Sequence, residues 1–184
     1  RARLRAGPAG TGRAAGRGPA PLALVVYGTL SAITLGLAMV LGKSPLETDG
    51  WLDALPAWSR HLGSLAGGGG IAALTVFATR ILVRRWGWAR TLHAYLRPAV
   101  HDAGNATLLV LGVASGVAEE LFFRGLLTPA LGLVLSSLAF GALHQLRGRV
   151  GRIWAGWAAL MGLLFGALFL ATGSLLGSIL AHAT

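Results

Sequence analysis

Long apolar blocks separated by short basic clusters restrict the fold of this chain more than any other feature. The blocks cover residues 21–41, 65–83, 105–127, 132–146, 153–171 and 174 to the end of the chain. A helix needs about 20 apolar residues to cross a hydrocarbon core. Lipid offers no partner for exposed backbone N–H and C=O groups, so spanning segments of this kind form helices. The sequence therefore predicts an all-α fold, a polytopic transmembrane helical bundle with about six spans.

The composition supports this class and excludes several others. Charged residues make up 12% of the chain, about half of the roughly 25% found in soluble domains. Although the net charge is +10, nearly all arginines lie at the edges of apolar blocks, which indicates membrane topology and argues against nucleic acid as a partner. The absence of cysteine excludes disulfides, thiolate nucleophiles and cysteine metal ligands. The predicted partner is the lipid bilayer.

The predicted organisation has three parts. Residues 1–20 contain five arginines among Gly, Ala and Pro, a composition that predicts a disordered segment. Residues 21–104 contain two transmembrane spans with their loops, and residues 105–184 form the core that carries the charged groups. Because the chain starts at Arg1 rather than at a methionine and stops within an apolar block, we expect it to be a fragment of a longer protein.

The distribution of basic residues predicts the orientation in the membrane. Cytoplasmic loops carry an excess of lysine and arginine. The arginines therefore place the N-terminus, the loop 80–102 and the loop 147–152 in the cytoplasm. The connection 43–63 has few basic residues and two interfacial tryptophans, Trp51 and Trp58, so it should lie outside.

Three charged residues, Glu119, Glu120 and Arg124, interrupt the third apolar block. Each costs about 2.5 to 3.5 kcal/mol at membrane depth, so such residues usually face a cavity and serve a function. Glu120 and Arg124 are four residues apart with the carboxylate first, which predicts a structural ion pair. Glu119 points about 100° away around the helix and has no equally direct cation. An unpaired buried carboxylate readily accepts a proton, so Glu119 is the candidate base.

Two histidines lie in later apolar blocks. His144 follows Phe140 by four residues, so these two side chains share a helical face, and His182 lies in the last block. Either histidine, taken alone, could equally be a neutral ring bonded to a nearby carbonyl group. The sequence around each one does not separate these two interpretations.

The depth of these side chains in the membrane suggests that they meet. Glu119 lies about 15 Å below a predicted turn at 128–129, and His182 lies about 12 Å below a helix start capped by Ser174. His144 is too deep by its position, unless Pro129 and Gly132 delay the start of its helix. With that delay, three candidate groups converge near the middle of the membrane.

These motifs resemble a known family, the CPBP intramembrane endopeptidases, which include the CAAX prenyl proteases and the bacteriocin-processing Abi proteins of bacteria. Its first motif, Glu-Glu-x-x-x-Arg, is present at 119–124, and its second, Phe-x-x-x-His, at 140–144. His182 matches the third motif, whose Asn or Asp partner would fall two residues after the end of this chain. The resemblance covers about residues 112–184, and it implies an integral protein of the bacterial plasma (inner) membrane.

The resemblance implies an endopeptidase that cleaves a peptide bond of a membrane-associated or lipidated protein or peptide. Glu119 would be the general base, His144 would orient the attacking water and His182 would donate to the tetrahedral intermediate, with Phe140 as a supporting motif residue. One Glu and two His are also a catalytic zinc set, so zinc on Glu119, His144 and His182 is the alternative. Because the sequence has no His-Glu-x-x-His pattern, we favour a mechanism without a metal or other cofactor.

Two other classes of function fit the same intramembrane charges. A transporter could use them to move protons or ions, and an inactive relative could act as a membrane scaffold or immunity protein. The convergence of a hydrolytic set from three segments argues against transport. The residue two places after Thr184 would separate an active from an inactive relative, because an Asn or Asp there completes the set.

Overall fold

The computed structural model describes residues 20–101 and 103–184, so the predicted disordered segment 1–20 lies outside the described residues except for Ala20. The described chain is built from helices, which confirms the predicted all-α fold. They are α1 Ala20–Val40, α2 Ala57–Arg85, α3 Gly87–His101, α4 Asn105–Glu120, a π-helix Leu121–Leu127, α5 Thr128–Leu143, α6 Gly148–Thr172 and α7 Leu176–Ala183.

Four helical stretches of the described chain are long and apolar enough to cross a membrane. They are Ala20–Val40, Ala57–Arg85, the continuous run Asn105–Leu143, and Gly148–Thr172. Each of the predicted apolar blocks contains a helix. The last helix, α7, has eight residues in the described chain.

The turn between the third and fourth predicted blocks lies at Gly132, and the prediction that the helix ends at 128–129 is wrong. Gly132 has φ 80° and ψ 167°, a backbone conformation that ends one helix before the next begins. Pro129 is tolerated inside the run because it lies in the first turn after the π-helix. The wider π turn moves away the carbonyl group that a proline ring would meet in an α-helix.

Helix α3 was not predicted from the apolar pattern. It is short and amphipathic, contains Pro98, and packs on α2 and α6 at the end of the bundle that carries the arginines of residues 80–101. Its mixed polar and apolar sequence does not form a continuous apolar block, which is why hydropathy alone missed it.

Helix α7 packs against α2, α4 and α6. It crosses α2 at a pair of glycines, Gly68 and Gly177. A Cβ atom on Gly68 would overlap the backbone of Gly177, and one on Gly177 would overlap the backbone of Ser64. Small residues allow two helix backbones to approach closely in lipid, so this crossing fixes the position of α7.

The loop between α1 and α2 closes the opposite end of the bundle from α3. Its backbone N–H groups at Trp51 and Leu52 donate to the carbonyl oxygens of Leu170 and Ala171 at 2.9 and 3.0 Å. These are carbonyl groups at the end of α6 that the helix itself cannot satisfy. The loop thereby holds the turn between α6 and α7.

The prediction that Ser174 caps the last helix is wrong. Helix α7 begins at Leu176, and its N-terminal N–H group on Gly177 donates to the hydroxyl of Ser64 on α2 at 2.9 Å. The same hydroxyl donates to the carbonyl oxygen of Ser174 at 2.9 Å. The Ser174 side chain instead pairs with His61 Nδ1 at 2.9 Å. A residue from a different helix therefore caps α7.

Candidate active site

The predicted ion pair lies at the junction of α4 and the π-helix. Arg124 Nη1 donates to Glu120 Oε1 at 2.9 Å, and both side chains are almost fully buried, with 2% and 0% exposed. A pair of this kind holds each charge in a medium that strongly disfavours an isolated ion. The observed geometry is the one that the spacing of four residues predicts.

Aromatic rings surround the guanidinium group of Arg124. Its Cζ atom lies 4.4 Å from the centroid of the Phe140 ring, 5.3 Å from that of Phe165 and 5.9 Å from that of Phe123. A guanidinium over the face of an aromatic ring gains about 0.5 to 2 kcal/mol, more when it is desolvated. The rings therefore stabilise the charge that the carboxylate of Glu120 balances.

Glu120 also contacts His182 on α7, a relationship that the sequence did not reveal. His182 Nδ1 lies 2.7 Å from Glu120 Oε1. A carboxylate that pairs with arginine accepts hydrogen bonds, so the ring donates through Nδ1. The ion pair thus fixes the orientation of a histidine from another helix, and it directs Nε2 toward the second carboxylate.

That second carboxylate, Glu119, faces both histidines. Its Oε2 atom lies 3.5 Å from His144 Nε2 and 3.9 Å from His182 Nε2. Glu119 and His144 lie about equally far along the chain from the Gly132 turn, on opposite sides of it. The structure therefore brings together all three side chains that were singled out in the sequence.

The hydrogen bond at the other nitrogen of His144 determines what its Nε2 atom can do. Nδ1 lies 2.7 Å from the carbonyl oxygen of Phe140. A carbonyl oxygen only accepts, so Nδ1 carries the proton and Nε2 of the neutral ring is an acceptor. Within the described chain, the buried Oε2 atom of Glu119 receives no hydrogen bond. Two acceptors that face each other at this distance are suited to share a donor such as a water molecule.

The sequence model of the family described as type II CAAX prenyl endopeptidase Rce1-like matches residues 103–184. This part of the chain is similar to the Rce1-like family. The match includes the two glutamates, Arg124 and both histidines, and it confirms the family resemblance read from the motifs. No curated protein and no solved structure matches the chain.

The Rce1-like part of the chain contributes most of the wall of a cavity of about 210 Å³ beside the two histidines. Besides the histidines, the wall is largely apolar and is lined by Phe140, Trp154, Trp157, Ala158, Met161, Phe165 and Ala181, with Thr75 and Thr184 as its other polar residues. Five of these residues lie along one face of α6. Their helical spacing was visible in the sequence, but nothing in the apolar block marked that face as the one beside the histidines.

Zinc held by Glu119, His144 and His182 is the alternative to a metal-free site. Among the described residues, no three His, Asp or Glu side chains are grouped so that they could hold a metal ion together. His182 also directs one nitrogen to Glu120, at 2.7 Å. The described side chains therefore do not fit a metal ion.

Proposed function

We propose that this protein is an intramembrane endopeptidase that hydrolyses a peptide bond of a membrane-associated or lipidated protein or peptide. One observation carries the proposal. The buried Oε2 atom of Glu119 lies 3.5 Å from the acceptor nitrogen of His144, beside an apolar cavity. Two converging acceptors can orient a water molecule and take its proton, which is what peptide hydrolysis by a general base requires.

In the proposed reaction, Glu119 and His144 hold the attacking water molecule. One water proton passes to Glu119 as the water oxygen forms a bond to the carbonyl carbon of the substrate, and the C=O electron pair moves to the oxygen. Return of that pair breaks the C–N bond. The proton on Glu119 then passes to the leaving amine, which restores the carboxylate.

His182 has the role of stabilising the oxyanion in this proposal. Its Nδ1 proton is held by Glu120 at 2.7 Å, so Nε2 can donate only when the ring carries both protons. A donor placed in a water-poor site contributes strongly to catalysis when charge develops on the substrate.

We propose that the reaction needs no metal ion. The roles of base, water orientation and oxyanion donor are all filled by Glu119, His144 and His182. Metal analysis of the purified protein tests this directly. Stoichiometric zinc that is lost in His144→Ala and His182→Ala variants, together with loss of activity on chelation, would contradict a metal-free mechanism.

The proposed activity is tested with the purified chain in lipid vesicles and a panel of fluorogenic peptides. The panel includes prenylated peptides with a CAAX-type C-terminus and apolar peptides without a lipid. We expect the parent protein to cleave at least one class and Glu119→Gln to cleave it at least about 100-fold more slowly. A folded parent protein that cleaves no peptide would favour the inactive scaffold, and proton uptake into the same vesicles would favour a transporter.

A further inference from the structure

A second cavity lies outside the proposed active site, in the angle between α3 and the ends of α2 and α6. It has a volume of about 260 Å³ and an almost entirely apolar wall. The lining residues are Thr79, Leu82, Val83, Trp88, Ala89, Leu92, His93, Leu96, Arg97, Trp154 and Trp157. We refer to this cavity as the α3 groove. The amphipathic helix α3 contributes its apolar side to the groove and two basic-type side chains, His93 and Arg97, to its rim.

The surroundings of the α3 groove carry an unusual excess of positive charge. The segment 80–101 has five arginines and no acidic residue, and 147–152 adds three more arginines without an acid. Both segments lie at the same end of the bundle, because α2 ends and α6 begins there. Arg97 and His93 are exposed at the rim. Clusters of arginine at the membrane boundary attract anionic headgroups, each contributing about 1 kcal/mol.

We propose that the α3 groove binds an acyl chain of an anionic phospholipid and that Arg97, with His93 beside it, holds the lipid phosphate. The apolar wall matches a hydrocarbon chain, and the basic rim matches the charge of the headgroup. The groove lies where the arginines mark the membrane surface, so a lipid of the surrounding leaflet reaches it without leaving the bilayer. This site lies outside the segment 103–184 except for its two tryptophans from α6.

The α3 groove adjoins the proposed active site through those two tryptophans. Trp154 and Trp157 line both cavities, and the Trp154 ring centroid lies 6.1 Å from that of His144. A lipid chain in the groove therefore contacts the rings that form the wall beside the histidine. The binding of lipid is nevertheless independent of whether the chain is a peptidase.

The positions of the tryptophans allow a direct test. Of the six tryptophans in the chain, Trp88, Trp154 and Trp157 line the groove, and the other three, Trp51, Trp58 and Trp86, are exposed. The exposed three are changed to phenylalanine, so that the remaining fluorescence comes from the three rings that line the groove. The protein is placed in phosphatidylcholine vesicles with increasing mole fractions of either phosphatidylglycerol or phosphatidylcholine that carries bromine on its acyl chain. We expect brominated phosphatidylglycerol to quench the fluorescence at a lower mole fraction than brominated phosphatidylcholine.

Variants that remove one arginine charge test whether the preference for phosphatidylglycerol arises at the groove. Arg97→Gln should weaken the apparent affinity for phosphatidylglycerol about fivefold, while Arg97→Lys should retain most of it. Arg149→Gln is the matched control, because Arg149 is exposed at the same end of the bundle but does not line the groove. Circular dichroism and thermal unfolding identify any variant that fails to fold.

Three outcomes would overturn the proposal. Equal quenching by the two brominated lipids would mean ordinary contact with the bilayer. Equal weakening by Arg97→Gln and Arg149→Gln would mean diffuse attraction to the basic end of the bundle. Absence of quenching by either lipid would mean that the groove is closed to lipid and covered by another occupant, such as a second copy of the chain.

Discussion

His182 Nδ1 lies 2.7 Å from Glu120 Oε1, so the carboxylate that neutralises Arg124 also orients a proposed catalytic histidine. The two adjacent glutamates therefore have different surroundings. Glu120 is enclosed by a cation and a donor, whereas Glu119 faces the second nitrogen of each histidine. We therefore expect a glutamine substitution to have different effects at Glu119 and at Glu120.

We expect Glu119→Gln to abolish most peptidase activity and to leave the protein folded. The amide keeps the size of the carboxyl group, but it cannot accept the proton of the attacking water. Loss of a general base lowers the rate on the order of 10² to 10⁴. The measurement is kcat/KM on a peptide that the parent cleaves, with thermal unfolding in detergent to verify the fold. Cleavage at the parental rate by well-folded Glu119→Gln protein would contradict the mechanism.

Glu120→Gln is the matched variant, and we expect it to lower stability as well as activity. The change leaves Arg124 without its balancing charge and weakens the acceptor for His182. We therefore expect a lower unfolding temperature than that of the parent or of Glu119→Gln. Equal unfolding temperatures for the two glutamine variants would show that the surroundings of the two glutamates do not differ in the proposed way.

We expect Arg124→Ala to reduce the yield of folded protein in membranes. Glu120 would remain as a buried charge without its cation, and removal of one partner of a buried pair typically costs about 3 to 5 kcal/mol. The yield of monodisperse protein after extraction and its unfolding temperature measure the effect. Arg152→Ala, at an exposed position, is the control. Parental stability of Arg124→Ala would show that the ion pair is not structural.

We expect Phe140→Leu to lower both stability and activity. The Phe140 ring lies under the Arg124 guanidinium and contacts both histidines, with ring centroids 4.3 Å from His144 and 5.9 Å from His182. Loss of the cation–π contact alone should cost about 0.5 to 2 kcal/mol. Thermal unfolding and kcat measure the two effects. Leu138→Ala, at an exposed position of the same helix, should change neither strongly.

We expect Ser64→Ala to destabilise the start of α7. The buried N–H group of Gly177 would lose its acceptor and the carbonyl oxygen of Ser174 its donor, and an unsatisfied buried group costs about 1 to 3 kcal/mol. Ser59→Ala is the control, because that hydroxyl donates locally, to the carbonyl oxygen of Pro56 just before α2. An unfolding temperature of Ser64→Ala equal to that of Ser59→Ala would argue against this capping role.

The proposed orientation in the membrane can be tested by labelling, since the chain has no cysteine of its own. Trp51 lies in the loop that should face outside, and Arg149 lies in the first turn of α6, in the basic segment that should face the cytoplasm. In intact cells, a membrane-impermeant maleimide should label Trp51→Cys but should label Arg149→Cys only after permeabilisation. The opposite pattern would reverse the orientation.

The sequence predicted the helical class and which polar side chains would lie together inside the bundle, because both follow from local chemistry. Apolar blocks mark helices in lipid, and charges within those blocks mark positions that must face protein. From its position in the sequence, His144 lay too deep in the membrane unless its helix started late. Gly132 does interrupt the helix that leads to His144. The position of the turn was missed, since a proline after a π-helix does not end the run as it would after an α-helix.

The contacts between distant segments could not be predicted in the same way. Ser64 and Gly177 are far apart in the sequence, and nothing in a run of small residues identifies which of them meet another helix. The hydrogen bond between His182 and Glu120 also depends on how α7 is rotated, and that rotation is set by packing on α2 and α4. Helix α3 was missed because it has no continuous apolar block.

Because α7 crosses α2 at two glycines, residues 103–184 depend on the first half of the chain for their arrangement. Residues 103–184 contain all of the proposed catalytic side chains, yet the helix that presents His182 is capped by Ser64 and seated on Gly68. Without α2, the first turn of α7 would keep a donor without its acceptor and would lose one of the surfaces that set the position of α7. The first half of the chain therefore helps to position the second half. A fusion of residues 103–184 to another membrane protein would contain the proposed catalytic side chains but would not hold them in the same arrangement.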